Sequence, residues 1–561
     1  MHDERPTMPH LKDEETPETQ AAIVTLERRA DECYELLRLL KRPRNVAMWA
    51  LLTAMARELE IIQQKYGSAS SKHRDARINI ERHMCGFHFI ALHAKPESKL
   101  VPYKFTSQVA EDALFACNIC GYYTHYLHMF PLWHKNHERT EFTPDGRLRF
   151  FPPHDSTRQR QVIAYQQKHR PEDFVKEQLA RNNASTTAKN LLNDLFSQAR
   201  QNDRLDKDFS YEPSRELVDA LRPEYAQRLD HNFRHPADFM LNGYTLGDFK
   251  KVYVELLILS AIHEYICYPF DAPGRPIPVS SLVLVKTRSE WVNAFSKTSG
   301  VSAGVCEAIV KDLMLRPESK SFTSLCITPF IPLDTSGWTL AVAPQFPLTS
   351  AVDENILRQF SYTFPALFSG QNIHKEEAMR ELLRSVKQPD WGMQFSVPLP
   401  DGTTEIDVVI EDQTSSTVVL GEMKWIRKPY RPLEVLEREA EVSKGIRQLK
   451  LIQSYARTKS DDLHRRGKLS RDLKNYKHVY LVLLVRDFWY WIDPNDGIAL
   501  LDFDEAITQL REGTPLNETM DALLAYEWLP TEDKDFHVKY RPSPVNGVCI
   551  ESPTFHTGKP E

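Results

Sequence analysis

The stretch TEIDVVIEDQTSSTVVLGEMKW, Thr404 to Trp425, decides how the rest of this chain is read. EIDVVI and TVVLGEMKW are β-branched runs joined by the polar EDQTSS, the pattern of an antiparallel hairpin. Side chains alternate across a strand, so Glu422 and Lys424 share a face. A turn centred near Gln413-Thr414 sets Asp407 opposite Leu420 or Gly421 and diagonal to Glu422. Gly421, inside a strand, predicts a bulge or a close approach of other chain. Two carboxylates and a lysine at one end of an apolar hairpin are costly to bury unpaired. The carboxylates repel unless a proton or a cation lies between them. A hard divalent cation such as Mg2+ takes carboxylate oxygens while keeping waters, which resolves the conflict. A lysine beside it can orient a water and offset charge on a phosphate.

Working outward, IHKEEAMRELLRSV before the hairpin is an amphipathic helix with Met379, Leu382, Leu383 and Val386 on one face. VLEREAEVSKGIRQLKLIQSYA after it reads as a second helix, and HVYLVLLV as a buried strand. In that setting Asp407, fourteen further residues and then Glu422-Met423-Lys424 resemble the core motif of the PD-(D/E)XK nuclease superfamily, over roughly residues 350–510. The resemblance implies a C-terminal α/β restriction-endonuclease-like domain, a mixed central sheet flanked by helices, joined to a largely α-helical N-terminal region. It implies phosphodiester hydrolysis dependent on Mg2+, with Mn2+ able to substitute, and DNA favoured over RNA. Asp407, Glu422 and the Met423 backbone carbonyl would hold the metal, and Lys424 would position the attacking water. Glu376 fits the place of a further glutamate from the first helix, because Met379, Leu382 and Leu383 follow it as in archaeal Holliday-junction resolvases; Glu377 lacks that spacing. Gln448, with Lys444 one turn before it, fits the Gln or Lys that some members carry on the second helix. Ile452 stands where exonuclease-like members have a tyrosine, leaving Tyr455 as a weak substitute, and Ile406 replaces the name-giving proline. Such a domain fused to a large unfamiliar region resembles arrangements used in bacterial anti-phage or anti-plasmid defence. The alternative is an inactive nuclease-fold scaffold or a nucleic-acid-binding subunit of a larger complex, which would be free to lose one of Asp407, Glu422 and Lys424.

The net charge of -6 argues against a wholesale nucleic-acid coat but leaves room for a local basic face. From Gly421 to Tyr480 there are 16 Lys and Arg against 8 Asp and Glu. The clusters WIRKPYRP, with Arg427, Lys428 and Arg431, and HRRGKLSRDLKNYK are the candidate phosphate contacts, together with Lys444. A Lys- and Arg-rich helix surface is equally the ordinary means of keeping a chain soluble.

With 561 residues the chain exceeds one core. Residues 1–20 read as a disordered tail, 21–275 as a mostly helical region for sensing or partner binding, and 276–350 as a strand-containing segment. Residues 351–512 read as the nuclease-like domain and 513–561 as a C-terminal extension, Pro-rich and weakly patterned from about 530. The helices over 21–66 are packing elements, or a contact for a partner protein or a second copy. Eight scattered cysteines and no apolar leader point to a reduced, cytoplasmic protein. VYVELLILSAIHEYICY contains Glu255, His263 and Glu264, which marks a buried helix and no membrane span. Cys117 and Cys120, followed by His125, His128, His134 and His137, allow a zinc site, as do His83, Cys85, His88 and His93 more weakly. The surrounding ALFACNICGYYTHYLHMF suits a helix with small core cysteines better. No phosphate-binding Gly-x4-Gly-Lys-Ser/Thr loop and no Gly-x-Ser-x-Gly elbow is present.

Overall fold

The computed structural model describes residues 15–66, 81–98, 104–135, 138–151, 157–168, 186–201, 211–232, 237–267, 282–316, 325, 328–348, 372–400, 404–426, 432–486 and 497–557. Residues 351–368, which the sequence also reads as a helix, lie outside them. The protein is mixed α/β, helical toward the N-terminus and with its largest sheet toward the C-terminus.

The N-terminal part begins with α1 (Pro17–Asp31), α2 (Arg44–Tyr66), α3 (Cys85–His93) and the long α4 (Ser107–His134). A hairpin of β1 (Arg139–Phe142) and β2 (Leu148–Phe151) follows, turning at Pro144-Asp145-Gly146 with Gly146 at φ 81°. Next come α5 (Thr157–Lys168), α6 (Thr186–Gln201), α7 (Arg215–Asn232) and α8 (Leu246–Cys267). Helix α8 is the expected apolar run, and it is buried among its neighbours for most of its length. No helix among the described residues is long and apolar enough to cross a membrane.

The strands expected in 276–350 are β3 (Leu284–Thr287), β4 (Ile331–Pro332) and β5 (Thr339–Val342), in the order β3-β5-β4. They carry α9 (Arg288–Ser299) and α10 (Ala303–Asp312), the former opened by a capping box between Thr287 and Glu290. This sheet packs with the N-terminal helices: Trp291, Phe330 and Leu340 share a core with α6 to α8, and Ile331 and Ala341 share one with α2 to α4.

The C-terminal sheet is built by β6 (Trp391–Pro398), β7 (Glu405–Asp412), β8 (Thr417–Trp425), β9 (His478–Arg486) and β10 (Ile498–Asp502). Its order is β10-β9-β8-β7-β6; β8, β9 and β10 are parallel, while β6, β7 and β8 are antiparallel. One face packs on α12 (Pro432–Thr458) and α13 (Ser460–Arg466), the other on α11 (Asn372–Val386), α14 (Phe503–Leu510) and α15 (Leu516–Ala525). Cover on both faces explains why β7 and β8 read as almost continuous apolar runs. Strand β6 was missed from the sequence, although Trp391, Met393, Phe395 and Val397 alternate in plain view.

Residues 513–557 form more regular structure than their composition suggests. After α15, β11 (Phe536–Val545) and β12 (Val548–Thr557) form a hairpin, and β12 pairs in parallel with β2 through Ile550↔Leu148 and Glu551↔Arg149. The far end of the chain thus completes an N-terminal sheet. Tyr126 of α4 fastens it, its hydroxyl lying 2.6 Å from the Ser543 carbonyl and 2.9 Å from that of Val548. Helix α5 bridges in the other direction, with Val162 and Tyr165 in the core beneath the C-terminal sheet.

Candidate active site at a fork in the sheet

Val408 pairs with Gly421 across β7 and β8, and the register places Asp407 beside Glu422, one to two positions from the place expected. The turn is responsible. It spans four residues between Asp412 and Thr417, Asp412 accepts from the Thr414 and Ser415 amides, and Ser416 sits in the left-handed region at φ 56°. Gly421 is not a bulge. It sits in regular pairing where a Cβ would come within 2.7 Å of Val408 Cγ1, so the close approach is what requires it.

Beyond Val408 and Gly421 the two strands part. Strand β7 stays with β6 as far as Glu405↔Pro398, while β8 stays with β9 out to Trp425↔Arg486. Asp407, Glu422 and Lys424 sit in the wedge. The pleat also slips here: Ile406 and Val409 face the α12 side, whereas Val408 and Ile410 face the other. In an unbroken strand Ile406 and Val408 would share a face. Strand β6 slips in step, Phe395 lying on one side and Val397 on the other, with Ser396 between them at φ 51°. The Asp407 carboxylate reaches across to β8, where Oδ2 accepts the Met423 N–H at 2.8 Å. A side chain thus replaces the strand partner that the fork removes.

Glu422 is buried; Lys424 Nζ donates to its Oε1, and Oε2 has no partner. Burial, followed by the nearby charge of Asp407, pushes its carboxyl up to about 7. Burial raises Asp407 as well, against the Met423 N–H and Lys424, which lower it. Burial and then the Asp407 charge raise Glu376 on α11. Glu377 instead sits between Arg380 and Arg384, which pull it down, so Glu376 is the glutamate of this helix that faces the wedge. Glu376 nevertheless stands off, ion-paired to Arg380 at 3.6 Å, and among the described residues no three His, Cys, Asp or Glu side chains gather to hold a metal ion.

Helix α12 closes the other side. A Cβ on Gly445 would meet Leu483 Cδ1 at 2.7 Å and Lys424 Cε at 3.5 Å, so this glycine lets the helix lie against the lysine. Gln448 follows one turn later, its Oε1 buried and unpartnered, and Lys444 is exposed. Tyr455 does not serve the site: its hydroxyl donates to Asp462 of α13. Arg427, Lys428 and Arg431 lie outside the described residues. The second basic cluster is split: the Lys477 and His478 amides both donate to the Ser416 carbonyl at the far, turn end of the hairpin, whereas Arg466 donates to the Pro398 carbonyl at 3.5 Å, where β6 pairs with Glu405. Thr417 and Glu422 are five positions apart on β8, about 16 Å at the rise of a strand. Two further groups near the wedge carry no signal in the sequence. Glu439 of α12 is raised to about 7 by burial alone and its Oε1 lacks a partner. Arg380, four residues after Glu376, is the other.

Two carboxylates with an unpartnered buried oxygen, repelling each other beside a lysine, fit a hard divalent cation completed by waters and substrate oxygens. The cysteine-rich region has a different character. Cys33, Cys85, Cys117 and Cys120 are packed in the first helical core, and burial holds the Cys117 thiol far above its usual range. His125 meets Arg82 at 3.2 Å and His134 meets Glu27 at 2.7 Å, so neither turns to the cysteines. Compared with family models, with curated proteins and with solved structures, the chain matches none.

Proposed function

We propose that the C-terminal part of this chain is a metal-dependent nuclease of the PD-(D/E)XK type, hydrolysing phosphodiester bonds of nucleic acid, with DNA as the preferred polymer. The observation that carries the reading is the convergence of Asp407, Glu422 and Lys424 in one wedge, flanked by α11 and α12. The order helix, strand, hairpin, helix, parallel strand supports a restriction-endonuclease-like core.

Asp407 and Glu422 would hold Mg2+ or Mn2+, which supplies positive charge to the phosphate and an acidic water. The backbone N–H of Met423 holds Asp407 through Oδ2, which anchors this carboxylate beside Glu422. Lys424, released from Glu422, offers its Nζ to the attacking water and to the charge that develops on the phosphate. Gln448, whose buried Oε1 has no partner, would orient a group one turn beyond Gly445 on α12.

The test is incubation of the purified chain with linear, supercoiled and single-stranded DNA and with RNA, each with Mg2+, Mn2+ or EDTA. Cleavage should require the metal and fall at least about a hundredfold in Lys424→Ala, the scale of losing one group that stabilises developing charge. Equal inertness of both proteins, with nucleic acid still bound, would turn the assignment to a non-catalytic scaffold.

A further inference from the structure

Resting on that reading, we propose that Arg380 is a second cationic arm of the site, held by Ser396 so that its guanidinium grips the phosphodiester backbone on the side of Asp407 away from Lys424. Arg380 projects from α11, and Ser396 lies on β6 opposite Asp407, between the pairs Phe395↔Val408 and Val397↔Ile406. The left-handed backbone of Ser396 is uncommon for a residue with a side chain and costs roughly 1 kcal/mol or more. What it achieves is local. The slip of the pleat turns Ser396 Oγ toward α11, where Arg380 Nη2 donates to it at 2.8 Å.

The guanidinium is far from saturated. Its contacts to Glu377 at 3.4 Å and Glu376 at 3.6 Å are long, and Nε is buried with no partner. An arginine that served only to pair acids on its own helix would not need a strained serine on a neighbouring strand to aim it. Its charge is felt at both Asp407 and Glu376. Asp407 therefore lies between two cations, Lys424 from β8 and Arg380 from α11. Two carboxylates, one metal and two cations would leave the wedge positive, which suits a phosphate with its fixed negative charge.

The experiment measures binding of a fluorescent DNA duplex and single strand to the full chain in Ca2+, which occupies such sites without supporting cleavage, across a salt series. The variants are Arg380→Met, which keeps most of the aliphatic stem, Arg380→Lys and Ser396→Ala. Arg380→Met should weaken binding about tenfold and lower the slope of log K against log salt by about one contact. Arg380→Lys should keep the slope while losing part of the affinity, and Ser396→Ala should fall between the two. The Ca2+-induced rise in melting temperature should be kept in Arg380→Lys and Ser396→Ala and kept or enlarged in Arg380→Met, which removes a positive charge beside the carboxylates; damage to the metal ligands would instead reduce it. If wild type binds and Arg380→Met keeps its affinity and salt slope, the inference is overturned while the nuclease reading stands. If wild type neither binds nor cuts any nucleic acid, both fall together.

Discussion

Glu422 shows what the fork does to a single residue. Burial and the neighbouring Asp407 move its carboxyl from an ordinary 4.5 to about 7. Between those pH values the folded chain keeps a proton that the unfolded chain has lost, so this group's contribution to stability falls as pH rises through the window. Two results should follow. In the absence of divalent ions, Glu422→Gln should melt higher than wild type at pH 8, by about 1–3 kcal/mol of stability, and converge with it near pH 4. Mg2+ affinity of wild type, measured by calorimetry, should weaken up to about tenfold per pH unit below 7, because the cation must displace the proton. Parallel melting curves for the two proteins from pH 4 to pH 8 would remove Glu422 from the wedge.

At the scale of elements, helix α12 must lie close against β8 and β9 for Lys424 to be held. Gly445→Ala puts a methyl 2.7 Å from Leu483 Cδ1. Because Leu483 is fully buried, the overpacking should cost about 2–3 kcal/mol, more than the roughly 1 kcal/mol that alanine returns in helix propensity. Melting temperature should drop by a few degrees, and cleavage should drop further, because the helix is displaced over the lysine. The hairpin β7–β8 and its flanking helices were legible because β-branched runs and a helical period survive in the sequence. Its register was not, since Asp412 caps a four-residue turn whose length composition does not reveal. Ser396 gave no signal, because its importance is conformational. Strands β11 and β12 were hidden by Pro542, Pro544 and Pro553. The first two are tolerated because β11 is an edge strand, and Pro553 lies past the residues that pair with β2.

For the whole molecule, the hairpin at 536–557 belongs to the N-terminal body in packing though not in sequence. Val545, Val548 and Ile550 are fully buried in the same core as α2 and α4. A chain ending before Phe536 should lose on the order of 5 kcal/mol of that body's stability from these side chains alone. Limited proteolysis should then cut within α4 and the β1–β2 hairpin, while Lys424→Ala leaves the digestion pattern unchanged. Tyr126 and Ser543 are 417 residues apart, and this distance has a consequence in time. At about 5–20 residues per second, a ribosome needs roughly 20–80 s to travel from one to the other. Throughout that interval Leu148 and Phe150 lack the strand that covers them. The N-terminal body therefore cannot finish folding as it is synthesised, and nascent chains stalled inside the five-stranded sheet will display an open sheet edge to chaperones and proteases.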